Sequence, residues 1–494
     1  MIQKLLFIGA ITASFLVSGQ HINSQLLDKE TLEPVPYASI QFSENNAVMS
    51  NEEGAFELLI PDNSTPKDSL TISSLGYQSK SFSLQDSIPK TIYLESKIYE
   101  IDPVILSNKS QSVEDIMDQV IAHIAENYQT NYIKNDVFVR LSYRQRIVNF
   151  DFDVKKSTID NINQTLFDTI VEKLPKSFTS LTESYANIYS NNNKEAKLNL
   201  KKVLLIQSKQ EIASIRQIQN DFFTTLQKNT KHNSYLIIKS GIIRLDKTES
   251  IDSIVRQNTP HPKPLDAKRK KGFQVYATKQ LQDILKDLCI HDASSVDFLD
   301  KYNRYEFTKE GYIEIGDAIA YVIRFKPKGS AKYKGTLYIN TEDYAILRAD
   351  IQGARKIFDK HFNMFGVSSN DLTYSSTLIF EKSLHNNYYL KYLKISRTAQ
   401  NGVNRPIKII EKNKYVKGRR KQNEVAFQMN IQIVNETTKE LVFTAPESVS
   451  QSSFENFKPD LDIEIERAHS YDAHFWDGYN IITPEQAIKN LKIE

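Results

Sequence analysis

At 494 residues, with 40% hydrophobic and 25% charged side chains, the chain has the composition of a folded protein of roughly two to four domains, which excludes a disordered or fibrous one. A formal charge of +3 is too small to supply a global field for nucleic-acid binding. The single cysteine, Cys289, excludes an internal disulfide and a cysteine-rich metal site; it reads as a small buried apolar residue, because no activating base adjoins it.

Residues 1–19 read as a secretion signal: Lys4 gives the positive start, Leu5 to Val17 the apolar stretch, and Val17-Ser18-Gly19 the small residues before a mature start at Gln20. The stretch is short for a bilayer span, and no cysteine follows it to carry a lipid. The expected location is outside the cytoplasm, in the periplasm or peripheral to an outer membrane.

Residues 20–96 read as short strands separated by turns. Val35 to Phe42 is one strand, Asn45-Asn46 a hairpin turn, and Asn51-Glu52-Glu53-Gly54 a tight turn in which Gly54 takes positive φ. Phe56, Leu58 and Ile60 alternate with Ala55, Glu57 and Leu59, as a strand with one buried face requires, and Pro61 ends it. Leu70 to Ser74 and Thr91 to Leu94 add further strands, giving a small sandwich of about seven. The run Pro34-Val35-Pro36-Tyr37-Ala38, then Asn51, Gly54 and Phe56, then Gly76-Tyr77, resembles the carboxypeptidase-regulatory-like domain of Bacteroidota envelope proteins. That resemblance implies a transthyretin-like Greek key, a binding rather than catalytic role, and association with an outer-membrane receptor of the TonB-dependent kind.

Residues 97–131 read as a linker carrying Pro103, followed by an amphipathic helix. Val113, Ile116, Met117, Val120, Ile121, Ile124 and Tyr128 share one helical face, Ser112 caps the start, and Asn127-Tyr128 closes it. The linker, helix and following strand resemble the next segment of longer proteins of the same group, in which a pore-forming barrel can follow. Here the stretch before Glu494 is polar and helix-like, and a soluble form is expected.

Residues 132–494 read as a larger antiparallel β-rich domain, with helical insertions near 205–228 and 276–290. Hairpins are expected over 312–325, 335–351 and 372–396, with strands at Val137 to Tyr143 and Val425 to Val434. The hairpin containing Gly335 to Ile339 and Asp343 to Leu347 resembles the curved-sheet half-barrel of periplasmic lipoprotein carriers. Pro260, Pro262 and Pro264 with Lys268-Arg269-Lys270-Lys271 predict an extended surface segment over 258–272. The second basic run, Lys417 to Lys421, sits in a hairpin turn; a solvated turn is the plain reading, and contact with anionic lipid or a negative protein surface the alternative. Near the C-terminus, Phe475, Trp476 and Tyr479 form an aromatic cluster expected to pin the tail.

Catalytic signals are sparse. His123-x-x-Glu126 with distant His232 has the ligand types of a zinc carboxypeptidase, yet the pair lies beside the buried stripe of the helix, with Glu126 toward solvent. Asp472-x-His474 with Asp477 is the other metal-like spacing and reads as a capped turn. No His-Glu-x-x-His, Gly-x-Ser-x-Gly, phosphate-loop or dinucleotide motif occurs. The expectation is a non-enzymatic envelope binding protein without catalytic residues, metal or cofactor, and without nucleic acid as partner. Its partner is an outer-membrane or periplasmic protein; the alternative is a carrier of an apolar or lipid ligand.

Overall fold

The computed structural model describes residues 20–493 except 44–45, 61–63, 66–67, 98–110, 129–130, 192–194, 232, 249–266, 289–295, 316–317, 355–361, 384–385 and 419. The expected signal segment, Pro103, the three spaced prolines, His232 and Cys289 therefore lie outside the described residues. The chain forms two compact units: residues 1–97 with 476–485, and residues 98–475 with 486–494.

The first unit has seven strands, β1 (Gln20–Asp28), β2 (Ser39–Ser43), β3 (Asn46–Met49), β4 (Ala55–Ile60), β5 (Ser69–Ser73), β6 (Lys80–Ser83) and β7 (Thr91–Leu94). They form one sheet ordered β4-β1-β7 and another ordered β3-β2-β5-β6. Alternation explains the layering. Phe56, Leu58 and Ile60 of β4 are buried while their neighbours are half-buried, and they share a core with Leu26 of β1, Ile40 of β2 and Leu70 and Ile72 of β5.

The second unit is built on one broad sheet. Its strands are β8 (Tyr132–Ser157), β9 (Ser177–Asn191), β10 (Glu195–Gln207), β11 (Ser234–Ser240), β12 (Ile243–Thr248), β13 (Tyr305–Ile315), β14 (Ala318–Pro327), β15 (Tyr333–Asn340), β16 (Ile346–Gly353), β17 (Phe362–Met364), β18 (Val367–Lys382), β19 (Tyr388–Asn413), β20 (Lys421–Phe443), β21 (Glu447–Ser448) and β22 (Glu464–Ala468). The main path runs β13-β14-β15-β16-β18-β19-β20-β8-β9-β10-β22. Neighbours along it are antiparallel, except that β22 joins β10 in parallel.

Four helices matter here: α1 (Val113–Tyr128), α2 (Gln164–Lys173), α3 (Lys209–Lys228) and α4 (Ala267–Leu288). Ser112 and Asp115 cap α1 reciprocally, each side chain accepting from the other's backbone N–H. The buried stripe of α1 packs into the core of the large sheet, together with Leu281 and Ile284 of α4. Its end is fixed by Asn127 donating to the Asp343 carbonyl and Tyr128 donating to the Ile346 carbonyl, both at 2.8 Å. α1 is thus a member of the large unit rather than part of a linker. At the far end of the β19–β20 hairpin a second core forms, where Phe167 of α2 and Leu226 of α3 pack on Ile409, Val425 and Phe427.

Several features differ from the sequence expectation. The strand expected from Val35 starts only at Ser39, because Tyr37 takes φ 61° in a turn, and α2 lies between β8 and β9, where the sequence predicts no helix. Residues 267–272 are the first turns of α4, not part of an extended loop, so the run Lys268 to Lys271 lies on a helix. The helix expected from 205 begins at Lys209, because residues 195–207 are strand β10. The tail segment 476–485 belongs to the first unit, not to the β-rich domain.

Candidate functional site

The residues of the N-terminal signature shape the small sandwich. Asn51 Oδ1 accepts from the backbone N–H groups of Glu53 and Ala55, at 3.0 and 2.9 Å, and holds the turn ahead of β4. Gly54 has φ +72°, and a Cβ there would stand 2.3 Å from the Leu26 carbonyl oxygen; only glycine meets both demands. Pro34 bridges Leu27, and between Pro34 and Pro36 the Val35 N–H donates to Leu26. Tyr37 has φ 61° and its hydroxyl donates to Glu52 at 2.8 Å. Ala38 and Phe56 are core residues. Gly76, at φ 79°, accepts from the Lys97 N–H.

The Tyr77 phenol and the Asp28 carboxylate lie near enough to influence each other's protonation. The Thr31 N–H, 2.7 Å from Asp28 Oδ1, is the main influence holding that carboxyl below its usual range. Burial, helped by Asp28, pushes the Tyr77 phenol up to about 12.

The structure divides the aromatic tail. Phe475 stays with the large unit, its ring centroid 4.3 Å from the Lys202 ammonium. Trp476 is buried in the sandwich unit, edge-on to Tyr479 at 6.0 Å. Asn480 follows: its side-chain oxygen accepts from the Leu59 N–H of β4 at 2.9 Å, and its amide donates to Asn46. The segment thereby covers part of a sheet edge.

The metal-like spacings have local partners. The His123 ring stacks on Tyr344, and its Nδ1 lies 2.8 Å from the Gln119 carbonyl, one helical turn back. Glu126 is exposed. Asp472 accepts from the His474 backbone at 3.0 Å, as a capped turn does. Among the described residues, no three His, Cys, Asp or Glu side chains are grouped to hold a metal ion, and no helix is long and apolar enough to cross a membrane.

A site with room for a ligand lies between α4 and the large sheet. It is a cavity of about 300 Å³, at the lower end of small-ligand pockets. Its floor is one face of three adjacent strands: Val139, Leu141 and Tyr143 of β8, Ser180 to Ala186 of β9 by alternate residues, and Thr437 and Lys439 of β20. Its roof is one stripe of α4, with Phe273, Ala277, Leu281 and Ile284 at helical spacing and Tyr276 at the solvent side. Among the described residues, no Asp, Glu, His or Cys lines it. Burial raises the Tyr143 phenol above its ordinary value, so Tyr143 is a neutral group at neutral pH. The lining suits an apolar molecule with one polar end.

Two amides hold the roof. The edge of β10 before Lys202 has no strand partner, since β22 pairs only from that residue on. Gln274 fills the gap: its Oε1 accepts from the Leu200 N–H at 3.1 Å and its Nε2 donates to the Leu198 carbonyl. Gln282 donates to the Ala196 carbonyl at 2.5 Å. α4 thus substitutes side-chain amides for a missing strand.

The opposite face of the same strands carries a sealed charge cluster. Arg140 donates from Nε to Glu183 at 2.6 Å and from Nη1 to Glu440 at 2.7 Å. Tyr392 donates to the second oxygen of Glu440 at 2.7 Å. Burial opposes the charge on Arg140, but the two carboxylates outweigh it and raise its pKa above the ordinary value. Sequence reading missed this cluster, because its members lie on four strands, β8, β9, β19 and β20, most of them far apart in the chain.

Residues 22–106 match the sequence model of the CarboxypepD_reg-like domain. The small sandwich therefore carries a domain of that family, the one suggested by Pro34 to Tyr77. No curated protein matches the chain. Among solved structures, the MucA/MucB complex of Pseudomonas aeruginosa is 7% identical, covering 64% of this chain and 94% of that chain at a TM-score of 0.15. MucB in complex with MucA(peri) is 6% identical, covering 66% and 94% at a TM-score of 0.16. The outer membrane protein OprG of Pseudomonas aeruginosa is 6% identical, covering 64% and 97% at a TM-score of 0.12. At these TM-scores neither fold nor function carries over.

Proposed function

We propose that this is an exported, non-catalytic binding protein whose large domain holds an apolar ligand, such as an acyl chain, between α4 and the sheet. The cavity roofed by Phe273, Ala277, Leu281 and Ile284 carries the reading. Its walls are mostly carbon, and hydroxyls on β9 can orient one polar end of a ligand. The test is titration with a fluorescent fatty acid, on the unaltered protein and on an Ala277→Trp variant that fills the space. Saturable binding abolished by Ala277→Trp supports the reading; no saturable binding, or equal binding by the variant, overturns it.

A second reading, contact with a periplasmic or outer-membrane protein, is supported by β6. It is the outer strand of its sheet, with Lys80 and Ser81 exposed, and a partner strand could extend the sheet there. Cross-linking in native envelopes from a photoreactive residue at Ser81 tests it; labelling no protein while a control site labels its neighbour overturns it.

A further inference from the structure

The turn joining β19 to β20 exceeds what a hairpin needs. Its base is closed by the Asn413 N–H donating to the Arg420 carbonyl at 2.8 Å and by Lys414 donating to the Asn233 carbonyl at 2.8 Å. Asn413 Oδ1 also accepts from the Tyr415 N–H at 2.8 Å, and Gly418 takes φ +99°. Those features complete the turn. Beyond them stand Tyr415, 77% exposed, and Val416, 45% exposed.

The sequence from Lys414 to Lys421 is Lys-Tyr-Val-Lys-Gly-Arg-Arg-Lys, without one acidic residue. Lys421 pairs with the buried Glu424 behind the turn. Lys414, Lys417 and Arg420 are exposed, and no carboxylate among the described residues pairs with them. Their mutual repulsion gains nothing in the isolated protein. An aromatic and an aliphatic side chain at the tip of a cationic turn match a lipid interface: the tyrosine sits at headgroup depth and the cations meet anionic headgroups. A nucleic acid is the poorer fit, because the tip is a narrow projection rather than a groove along which a backbone could run.

We infer that the β19–β20 turn docks the protein onto an anionic lipid surface, with Tyr415 and Val416 entering the interface and Lys414, Lys417 and Arg420 over the headgroups. The tip is separate from the cavity. Thr437, on the cavity floor, is about 16 residues along β20 from Lys421 at the base of the turn, or roughly 50 Å of extended strand at about 3.3 Å per residue.

Flotation with vesicles tests the inference on the full chain lacking only residues 1–19. The vesicles are phosphatidylethanolamine with phosphatidylglycerol at a ratio of about 3:1, or phosphatidylcholine alone. Expected is flotation with the anionic vesicles, weakened by salt, and weak or no flotation with the neutral ones. The variant Lys414→Glu/Lys417→Glu/Arg420→Glu should lose at least the roughly fivefold per cation expected near such a surface. Tyr415→Ser/Val416→Ser should weaken binding on the order of tenfold. In a Tyr415→Trp variant, the added emission should shift to the blue on anionic vesicles. Both multiple variants leave the cavity intact, so they retain fatty-acid binding if that occurs. Failure to float with anionic vesicles overturns the inference, as does equal flotation by the charge-reversed variant. Retention on a poly-glutamate column without flotation would also overturn it and assign the turn to an acidic protein surface.

Discussion

Arg140 and Glu183 meet at 2.6 Å in the middle of the large sheet with both side chains closed off from water. They are direct cross-strand neighbours, and Glu440 faces Arg140 from the other side. Arg140→Met would leave two carboxylates buried without their cation and should cost about 3–5 kcal/mol. Replacing the whole set, Arg140→Met, Glu183→Leu, Glu440→Leu and Tyr392→Phe, should cost much less, because no buried charge is left over. Urea midpoints of the two proteins, followed by far-UV circular dichroism, check the order. A quadruple variant less stable than the single one would defeat it.

Gly54 sets the turn on which β4 depends. Gly54→Ala combines a positive φ with a Cβ driven against the Leu26 carbonyl, and should destabilise the sandwich by ~3 kcal/mol. The chain's single tryptophan, Trp476, is buried in that unit and reports its unfolding by emission. A fluorescence midpoint unchanged in the variant would contradict the prediction.

The Asp28–Tyr77 pair gives the sandwich a pH window. The carboxyl is depressed in the fold, so its contribution is present above the unfolded value near 4 and is lost as pH falls through the folded one. The phenol is raised to about 12, so its contribution is present below the unfolded value of about 10 and is lost as pH rises toward 12. Tryptophan-detected urea midpoints should therefore have a plateau between these limits. Tyr77→Phe should remove the alkaline decline that the pair causes and soften the acid one; an alkaline limb identical in the variant would exclude the pair as its source.

Gln274 is the clasp between α4 and the edge of β10. Gln274→Leu strands the Leu198 carbonyl and the Leu200 N–H in a buried place, at about 1–3 kcal/mol each. The expected result is faster amide hydrogen exchange along α4 and faster dissociation of a bound acyl probe, with the sandwich unaffected. Unchanged exchange in α4 would show that apolar contacts alone hold the helix.

The sandwich was the most legible part of the chain, because turn chemistry and period-two burial are local signals. Asn51, Gly54 and the Phe56-Leu58-Ile60 alternation each state their conformation within a few residues. The stripe of α1 was readable for the same reason. α2 was not: its start rests on Asn163 capping the Leu166 N–H amid a polar stretch, with Phe167 its one fully buried side chain. The start of α4 was obscured by prolines and lysines that resemble an exposed loop. The end of β10, Val203-Leu204-Leu205-Ile206, is a continuous apolar run that fits helix or buried strand equally well. The cavity could be read only as alternation in β8, since its walls come from four strands and a helix, most of them distant in sequence. The bond from Asn480 to Leu59 has no local signature at all.

The sandwich is a discontinuous object in the order of synthesis. Its seven strands leave the ribosome first, but the segment carrying Trp476 and Asn480 follows about 380 residues later. At about 5–20 residues per second, that is a delay of roughly 20–80 s during which the β4 edge waits without its cover. A recombinant fragment stopped at Lys97 would stay in that unfinished state permanently, so an autonomous form of this domain calls for residues 476–485 to be grafted back onto it.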